Sequence, residues 1–311
     1  MNRRQSIPKE LRYTRNHFDR DFPSDDVCLE QIKEQRWPGG IARCETCEKD
    51  RKHYRVTGRT AYACDRCGHH IYPLAGTIFE KSTTPLRIWF QAMYLMGSTR
   101  CGISAKQIQR ETGVTYKTAW RMFRQIRKLL SEDVQLEGPT VEMDEMYVGG
   151  KRRQRTQFDP SNKTCVVGAV ERNGGRVVAV IADDNSRKSL HDIAKEYILP
   201  KSTVFTDDLA SYHGLEKHDY EHKRINHSQG VYVMGDVHTN TIEGFWSLVK
   251  RGIGGVYHSV SKKYLQTYLN EYAFRYNHRD CGNLIFPLLV ARASQTELLK
   301  PSVPVAKNLP V

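Results

Sequence analysis

The chain has 311 residues, 39% of them hydrophobic and 27% charged, with 48 Lys and Arg against 35 Asp and Glu for a formal charge of +13. That length predicts two or three compact units, and a unit of ~150 residues can bury a core of its own. No apolar run approaches the ~20 residues of a membrane span, and the charged start MNRRQSIPKELRYTRNHFDRDF lacks a signal-type stretch, so a soluble intracellular protein is expected and a membrane partner is not. The basic excess attracts polyanions through counterion release, and nucleic acid is the expected partner.

Residues 1–27 read as a polar lead-in, irregular or partly helical. A ribbon-like segment follows over 28–80, where CETC, sixteen residues and CDRC bring two CxxC pairs into one stretch. Each CxxC turn can present two thiolates to one ion, so Cys44, Cys47, Cys64 and Cys67 are expected to hold a structural Zn²⁺ in a tetrahedral S4 site. His69 and His70 are expected outside that ligand set. Basic side chains, among them Arg51, Lys52, Arg55, Arg59 and Arg66, surround it. The remaining cysteines, Cys28, Cys101, Cys165 and Cys281, read as small hydrophobes.

Residues 81–137 read as helical. PLRIWFQAMYLM is a core helix, with Trp89 and Phe90 inside. ISAKQIQRETGVTYKTAWRMFRQIRKLL then predicts a short helix from Ser104 to Thr112, a stop at Gly113, and a second helix capped by Thr115. Ala119, Met122, Phe123, Ile126 and Leu130 repeat at three- and four-residue spacing and mark its core face. Lys117, Arg121, Arg124, Arg127 and Lys128 project elsewhere. This is the pattern of a DNA-reading helix-turn-helix, with Lys117, Arg121 and Arg124 as DNA contacts; a plain helical hairpin with a basic face is the other reading.

The third domain is expected over 138–295: residues 139–252 alternate short β-rich runs with helical stretches, an α/β pattern, and residues 262–278 form one more helix. In PTVEMDEMYVGG, Val141 and Met143 share one strand face and Glu142 and Asp144 the other. TCVVGAVER and RVVAVIADD flank a turn at Asn173 to Gly175 and read as a hairpin. A helix is expected around Leu190 to Tyr197, then STVFTDD as a strand ending at Asp207. A basic, His-rich stretch, His213 to His227, leads to HTNTIEGFWSLVKR, whose Ile242, Phe245 and Val249 form an apolar helix face. Glu243 and Lys250 lie seven residues apart on that helix, two turns along one face.

An acid in a strand, an acid at a strand end and an acid on a helix suit two-metal phosphoryl transfer, because hard Mg²⁺ (or Mn²⁺) ions prefer oxygen ligands and three carboxylates can hold a pair ~4 Å apart. Lys250 can neutralise a DNA phosphate. Glu142 can face the same cleft as Asp144. Asn240 is either near the site or a helix cap, and Trp246 either core or a base-stacking residue. Tyr264, Tyr268, Tyr272 and Tyr276 read as helix packing rather than a nucleobase platform. Arg275 and Arg279 read as phosphate contacts or as solvated charge. The tail, 296–311, holds three prolines and reads as disordered.

GTIFEKSTTPLRIWF, TGVTYKTAWRM, VEMDEMYVGGK, VFTDD, HTNTIEGFWSLVKRGI and FRYNHR together resemble the DDE transposases of bacterial insertion sequences, in particular the ISXO-like branch with an N-terminal zinc ribbon. The resemblance spans roughly residues 28 to 280. It implies a mixed RNase H-like sheet with flanking helices, preceded by a zinc ribbon and a helix-turn-helix. It also implies Asp144, Asp207 and Glu243 as ligands to two Mg²⁺ ions, with Lys250 beside them on DNA. The second motif of that family has Asp followed by Gly, whereas Asp208 follows Asp207 here, so either aspartate can be the ligand. The implied partners are the terminal inverted repeats and target DNA, with a homo-oligomer working on both ends near the bacterial nucleoid. Two rivals remain: a DNA-binding regulator with an inert third domain, and a structure-specific or RNase H-like nuclease.

Overall fold

The computed structural model describes residues 13–99, 101–149, 163–225, 238–281 and 284–295. The first twelve residues of the lead-in, the end of the His-rich stretch and the tail 296–311 lie outside the described residues. The chain divides into two compact units, Met1–Leu129 with Asp280–Val311, and Leu130–Arg279.

In the first unit, helices α1 (Arg15–Asp21) and α2 (Asp25–Arg36) precede a four-stranded antiparallel sheet. Its strands are β1 (Ile41–Cys44), β2 (Lys49–Arg55), β3 (Tyr62–Cys64) and β4 (His70–Ile71), paired in chain order. Ser24 caps α2 by accepting from the Val27 amide, and Asp25 and Asp26 sit in its first turn, where the helix dipole favours acids. Helices α3 (Leu86–Ser98), α4 (Ala105–Thr112) and α5 (Tyr116–Lys128) follow. Ser104 and Thr115 cap α4 and α5, and Gly113 ends α4 with φ at 72°. A side chain rarely adopts that left-handed backbone, and glycine does so without steric cost.

The last helix, α9 (Ile285–Ser294), belongs to this unit. On sequence it groups with residues 138–295; in the fold Phe286 inserts among Tyr13, Phe18, Phe22, Phe90 and Tyr94. Gly97 allows the approach, since a Cβ there would stand 3.2 Å from the Phe286 amide nitrogen. The sequence interval cannot reveal this, because an amphipathic helix announces that it needs a partner surface but not which one.

The second unit is a five-stranded sheet in the order β7-β6-β5-β8-β9. Strands β5 (Thr140–Val148), β6 (Thr164–Glu171) and β7 (Val177–Ile181) run antiparallel, while β8 (Thr203–Asp207) and β9 (Glu221–Ile225) extend the sheet in parallel with β5. This is the mixed RNase H-like sheet that the resemblance implies. Asn173 and Gly174 both take positive φ, 58° and 91°, as the tight hairpin between β6 and β7 requires. Helix α6 (Arg187–Tyr197) makes the crossover to β8, and α7 (Asn240–Gly252) and α8 (Lys262–Asn277) complete the unit.

Side chains alternate between the two faces of the sheet. Val141, Met143, Cys165, Val167, Ala169 and Val204 pack with Leu190 and Ala194 of α6. Met146, Val166, Val170, Val177 and Ala179 pack with Ile242, Phe245, Trp246 and Val249 of α7 and with Leu265, Leu269 and Tyr272 of α8. All eight residues of β6 are buried, the expected composition for a strand covered on both faces. At the edge of the sheet, Asn277 both accepts from the Val177 amide and donates to its carbonyl, and Gln266 bonds the Ile181 amide and the Ala179 carbonyl. Those side-chain amides take the place of a further strand and blunt the open edge.

Candidate active site and nucleic-acid interface

The four cysteine sulfurs of the ribbon all lie within 4.8 Å of one another, and they are the one such metal-competent group among the described residues. Cys44 Sγ stands 3.5 Å from Cys67 Sγ, and Cys47 Sγ 4.0 Å from Cys64 Sγ. A tetrahedral zinc with bonds of ~2.3 Å spaces its sulfurs by about 3.8 Å, so the donor set and its spacing fit Zn²⁺. Crowding by the Cys67 thiol, then burial and the other two thiols, pushes the Cys47 thiol up to about 12. His69 turns to Glu45, 3.9 Å away, outside the ligand set.

In the second unit the acids are organised by strand register. β5 pairs with β8 from Thr140↔Thr203 to Glu142↔Phe205, and continuing that offset for two residues sets Asp144 beside Asp207. Neighbouring strands lie about 4.8 Å apart. Asp144 feels it: burial, then Glu145, then Asp207 raise its carboxyl to about 7. Asp207 Oδ1 accepts from the Leu209 amide at 3.1 Å, whereas Asp208 faces Arg224 at 3.6 Å and His213 at 3.7 Å. Of the two adjacent aspartates, then, Asp207 is the one coupled to Asp144. Glu145 points to the opposite face, where it accepts from Tyr212 Oη at 2.7 Å and burial raises its carboxyl.

Helix α7 lies over the face that carries Asp144. Gly168 is the cross-strand partner of Asp144, and a Cβ there would come within 2.6 Å of the Trp246 ring. The indole fills that space and its Nε1 donates to Asp144 Oδ2 at 3.0 Å. Trp246 is therefore core, only 3% exposed, and at the same time a partner of the acid. Glu243 is exposed one turn earlier, accepting from Thr239 Oγ1 at 3.1 Å. Lys250 is exposed near the end of the same helix. Asp144 and Asp207 thus lie on neighbouring strands two residues past the last paired positions and within electrostatic reach of each other, while Glu243 stands on the covering helix and does not close a three-acid group within 4.8 Å among the described residues. Burial first, and then the neighbouring Glu145 and Asp207, raise the Asp144 carboxyl, and carboxylate oxygens are the donor type that hard divalent ions take.

On α5, Lys117, Arg121, Arg124 and Lys128 are exposed, and their spacings of four, three and four place them in one stripe. With Thr83, Thr84, Thr118, Trp120 and Gln125 they line a cavity of about 490 Å³. Arg121 is held across it, Nη2 donating to Ser82 Oγ at 3.1 Å and Thr84 Oγ1 at 3.2 Å. Arg127 departs from the sequence expectation: it is 2% exposed and stacks on Phe123 at 3.8 Å.

Arg275 is neither a phosphate contact nor solvated, but lies 9% exposed and paired with the fully buried Glu271 at 2.8 Å. Arg279 is likewise occupied, donating to the carbonyls of Gly174, Gly175 and Tyr276. Tyr268 and Tyr272 are buried in packing. The N-cap of α7 is Thr239, with Asn240 exposed beside it. Cys28 and Cys165 are buried; Cys101 is exposed. Gly168 and Arg172 escaped the sequence reading. A lone glycine amid valines was the available signal for the first, since glycine inside a strand marks a close approach.

The profile of the ISXO2-like transposase domain matches residues 135–277, and that of a transposase zinc-ribbon domain matches residues 23–70. The chain is 31% identical over 275 residues to an uncharacterized protein in transposable element ISH50 of Halobacterium salinarum, covering 82% of this chain and 91% of that one. It is 30% identical over 110 residues to an uncharacterized transposase-like protein of Haemophilus influenzae, covering 35% of this chain and 88% of the other. A structural likeness to the simian T-cell lymphotropic virus intasome in complex with PP2A regulatory subunit B56 gamma has 10% identity and a TM-score of 0.28, over 72% of this chain and 78% of that one.

Proposed function

Since the chain belongs to the ISXO2-like transposases of insertion sequences, we propose that it cuts the ends of its mobile element and joins the freed 3′-hydroxyls to target DNA. The observation that carries this reading is the placement of Asp144 beside Asp207, beneath the helix that bears Glu243. In this reading the three carboxylates hold two Mg²⁺ or Mn²⁺ ions. Bound there, the ions would supply Lewis-acid activation of the attacking oxygen and stabilisation of the leaving 3′-oxygen.

The chain's own residues hold and orient. The bond from Trp246 Nε1 fixes one oxygen of Asp144. The Leu209 amide likewise holds one oxygen of Asp207. Lys250 neutralises a DNA phosphate near the scissile bond. Hydrolysis breaks the P–O3′ bond, water's oxygen adding to phosphorus as the 3′-oxygen leaves and takes a proton. In joining, that 3′-hydroxyl attacks a target phosphodiester and displaces another 3′-oxygen. Neither step needs a covalent protein–DNA intermediate.

Duplex DNA is the proposed partner of the α5 stripe as well. Lys117, Arg121 and Arg124 line a basic cavity, and in this reading α4, the stop at Gly113 and α5 serve as a helix-turn-helix. The zinc ribbon adds basic surface, the ribbon and the α4–α5 region of the first unit serve for binding and the second unit, Leu130–Arg279, for chemistry, and pairing of two element ends calls for a homo-oligomer on DNA. Incubating the protein with labelled element-end DNA and Mg²⁺ or Mn²⁺ tests the whole. Metal-dependent nicking followed by strand-transfer products is expected. Binding without nicking would make it a DNA-binding regulator, and nicking without joining a nuclease.

A further inference from the structure

We infer that Glu142 is a positioning residue that staples strand β5 to the start of helix α7 and thereby fixes Glu243 relative to Asp144, an inference that rests on the two-metal reading above. The first amides of a helix have no partners within it and must find them elsewhere. On α7 the N-cap residue Thr239 provides none, because its side chain caps no amide and its hydroxyl donates to Glu243 instead. The acceptor comes from the sheet. Glu142 Oε2 takes the Thr241 amide at 2.7 Å and the Ile242 amide at 3.0 Å, and Oε1 takes Thr241 Oγ1 at 2.9 Å.

The carboxylate is 0% exposed, and a buried charge persists only where it is paired and hydrogen-bonded. Arg172 answers it, Nε donating to Oε1 at 2.8 Å, with His238 Nδ1 3.2 Å from the same oxygen. The Arg172 guanidinium in turn lies 3.9 Å over the ring of Phe205. The network therefore touches each element that bears a proposed ligand, one or two residues from it: Glu142 before Asp144 on β5, Phe205 before Asp207 on β8, Ile242 before Glu243 on α7. A helix that needed only a cap would be served by a local Ser or Asp. An acceptor reaching in from the metal-bearing strand adds a fixed distance between strand and helix. Partners of this kind, one step behind metal ligands, govern affinity by orienting them.

The test is Glu142→Gln in the full chain, which keeps the shape but replaces an acceptor oxygen with a donor amide. Three quantities are read: Mn²⁺ affinity of the second unit by calorimetry with the ribbon zinc-loaded, hydrogen exchange of the Thr241 and Ile242 amides, and affinity for end DNA. Mn²⁺ affinity is expected to fall about tenfold or more, with faster exchange at both amides and DNA affinity unchanged. Exchange accelerated with Mn²⁺ affinity as in wild type would reduce Glu142 to a cap and overturn the proposal. If Glu142→Gln does not fold, Arg172→Lys, which keeps the charge and loses the planar fork, is expected to weaken Mn²⁺ binding in the same direction; wild-type affinity in that folded variant also overturns it. Failure of the wild-type protein to bind Mn²⁺ at all would instead remove the two-metal reading, and this inference with it.

Discussion

Trp246 donates its indole hydrogen bond to Asp144 across the site where Gly168, the strand partner of Asp144, has no side chain. One ring thus packs the core between α7 and the sheet and restrains an acid of the site. Gly168→Ala should displace that ring. We expect a loss of about 1–3 kcal/mol in stability from overpacking, together with reduced cleavage, measured by denaturant unfolding and end nicking. Unchanged nicking would mean the Trp246–Asp144 bond is dispensable.

The acids should separate chemistry from binding. Asp144→Ala and Glu243→Ala are each expected to lower metal-dependent cleavage by about a thousandfold or more, as removal of a metal ligand or central electrostatic group does. Binding to end DNA, measured by gel shift, should be retained. A parallel loss of binding in either variant would count against its assigned role.

The crowding of Asp144 makes a pH prediction. Its carboxyl is raised from 3.8 to about 7 by burial and by Glu145 and Asp207, so between those values the folded state holds a proton that the unfolded state has lost. Its contribution is present at low pH and disappears as pH rises through about 7. Without added divalent ions, wild type should therefore lose stability relative to Asp144→Asn between pH 5 and pH 8, by thermal unfolding. Mg²⁺ should shrink the difference at pH 8. Parallel curves for the two proteins would show the acid is not strained.

Removing the ribbon metal should act on DNA binding through structure. Chelation, or Cys64→Ser, is expected to disorder the ribbon because its four-stranded sheet is small and has little core to support it without the ion. Far-UV circular dichroism and end-DNA affinity should both fall. A normal spectrum with normal binding after verified zinc loss would refute this.

Arg121 and Arg127 sit on the same helix with opposite fates, one exposed in the basic cavity and one buried on Phe123. Arg121→Ala with Arg124→Ala should weaken binding and flatten the plot of log affinity against log salt by about two, near one per lost phosphate contact. Arg127→Ala should instead lower thermal stability. An unaltered salt slope in the double variant would place the DNA elsewhere.

Local rules written in the sequence set the caps at Ser104 and Thr115, the glycine stop at Gly113, the hairpin at Asn173, the cysteine spacing and the alternation of Glu142 and Asp144 along β5. Each depends on neighbours within a turn or a strand, and periodicity records those directly. Tertiary structure alone decided that Asp207 rather than Asp208 faces Asp144, that Arg127 and Arg275 are buried, that α9 returns to the first unit, and that Glu142 caps a helix a hundred residues away. These outcomes hang on strand register and on which surfaces meet. Register and packing arise from contacts between distant segments, and a linear pattern of polar and apolar residues does not encode which distant segment answers which.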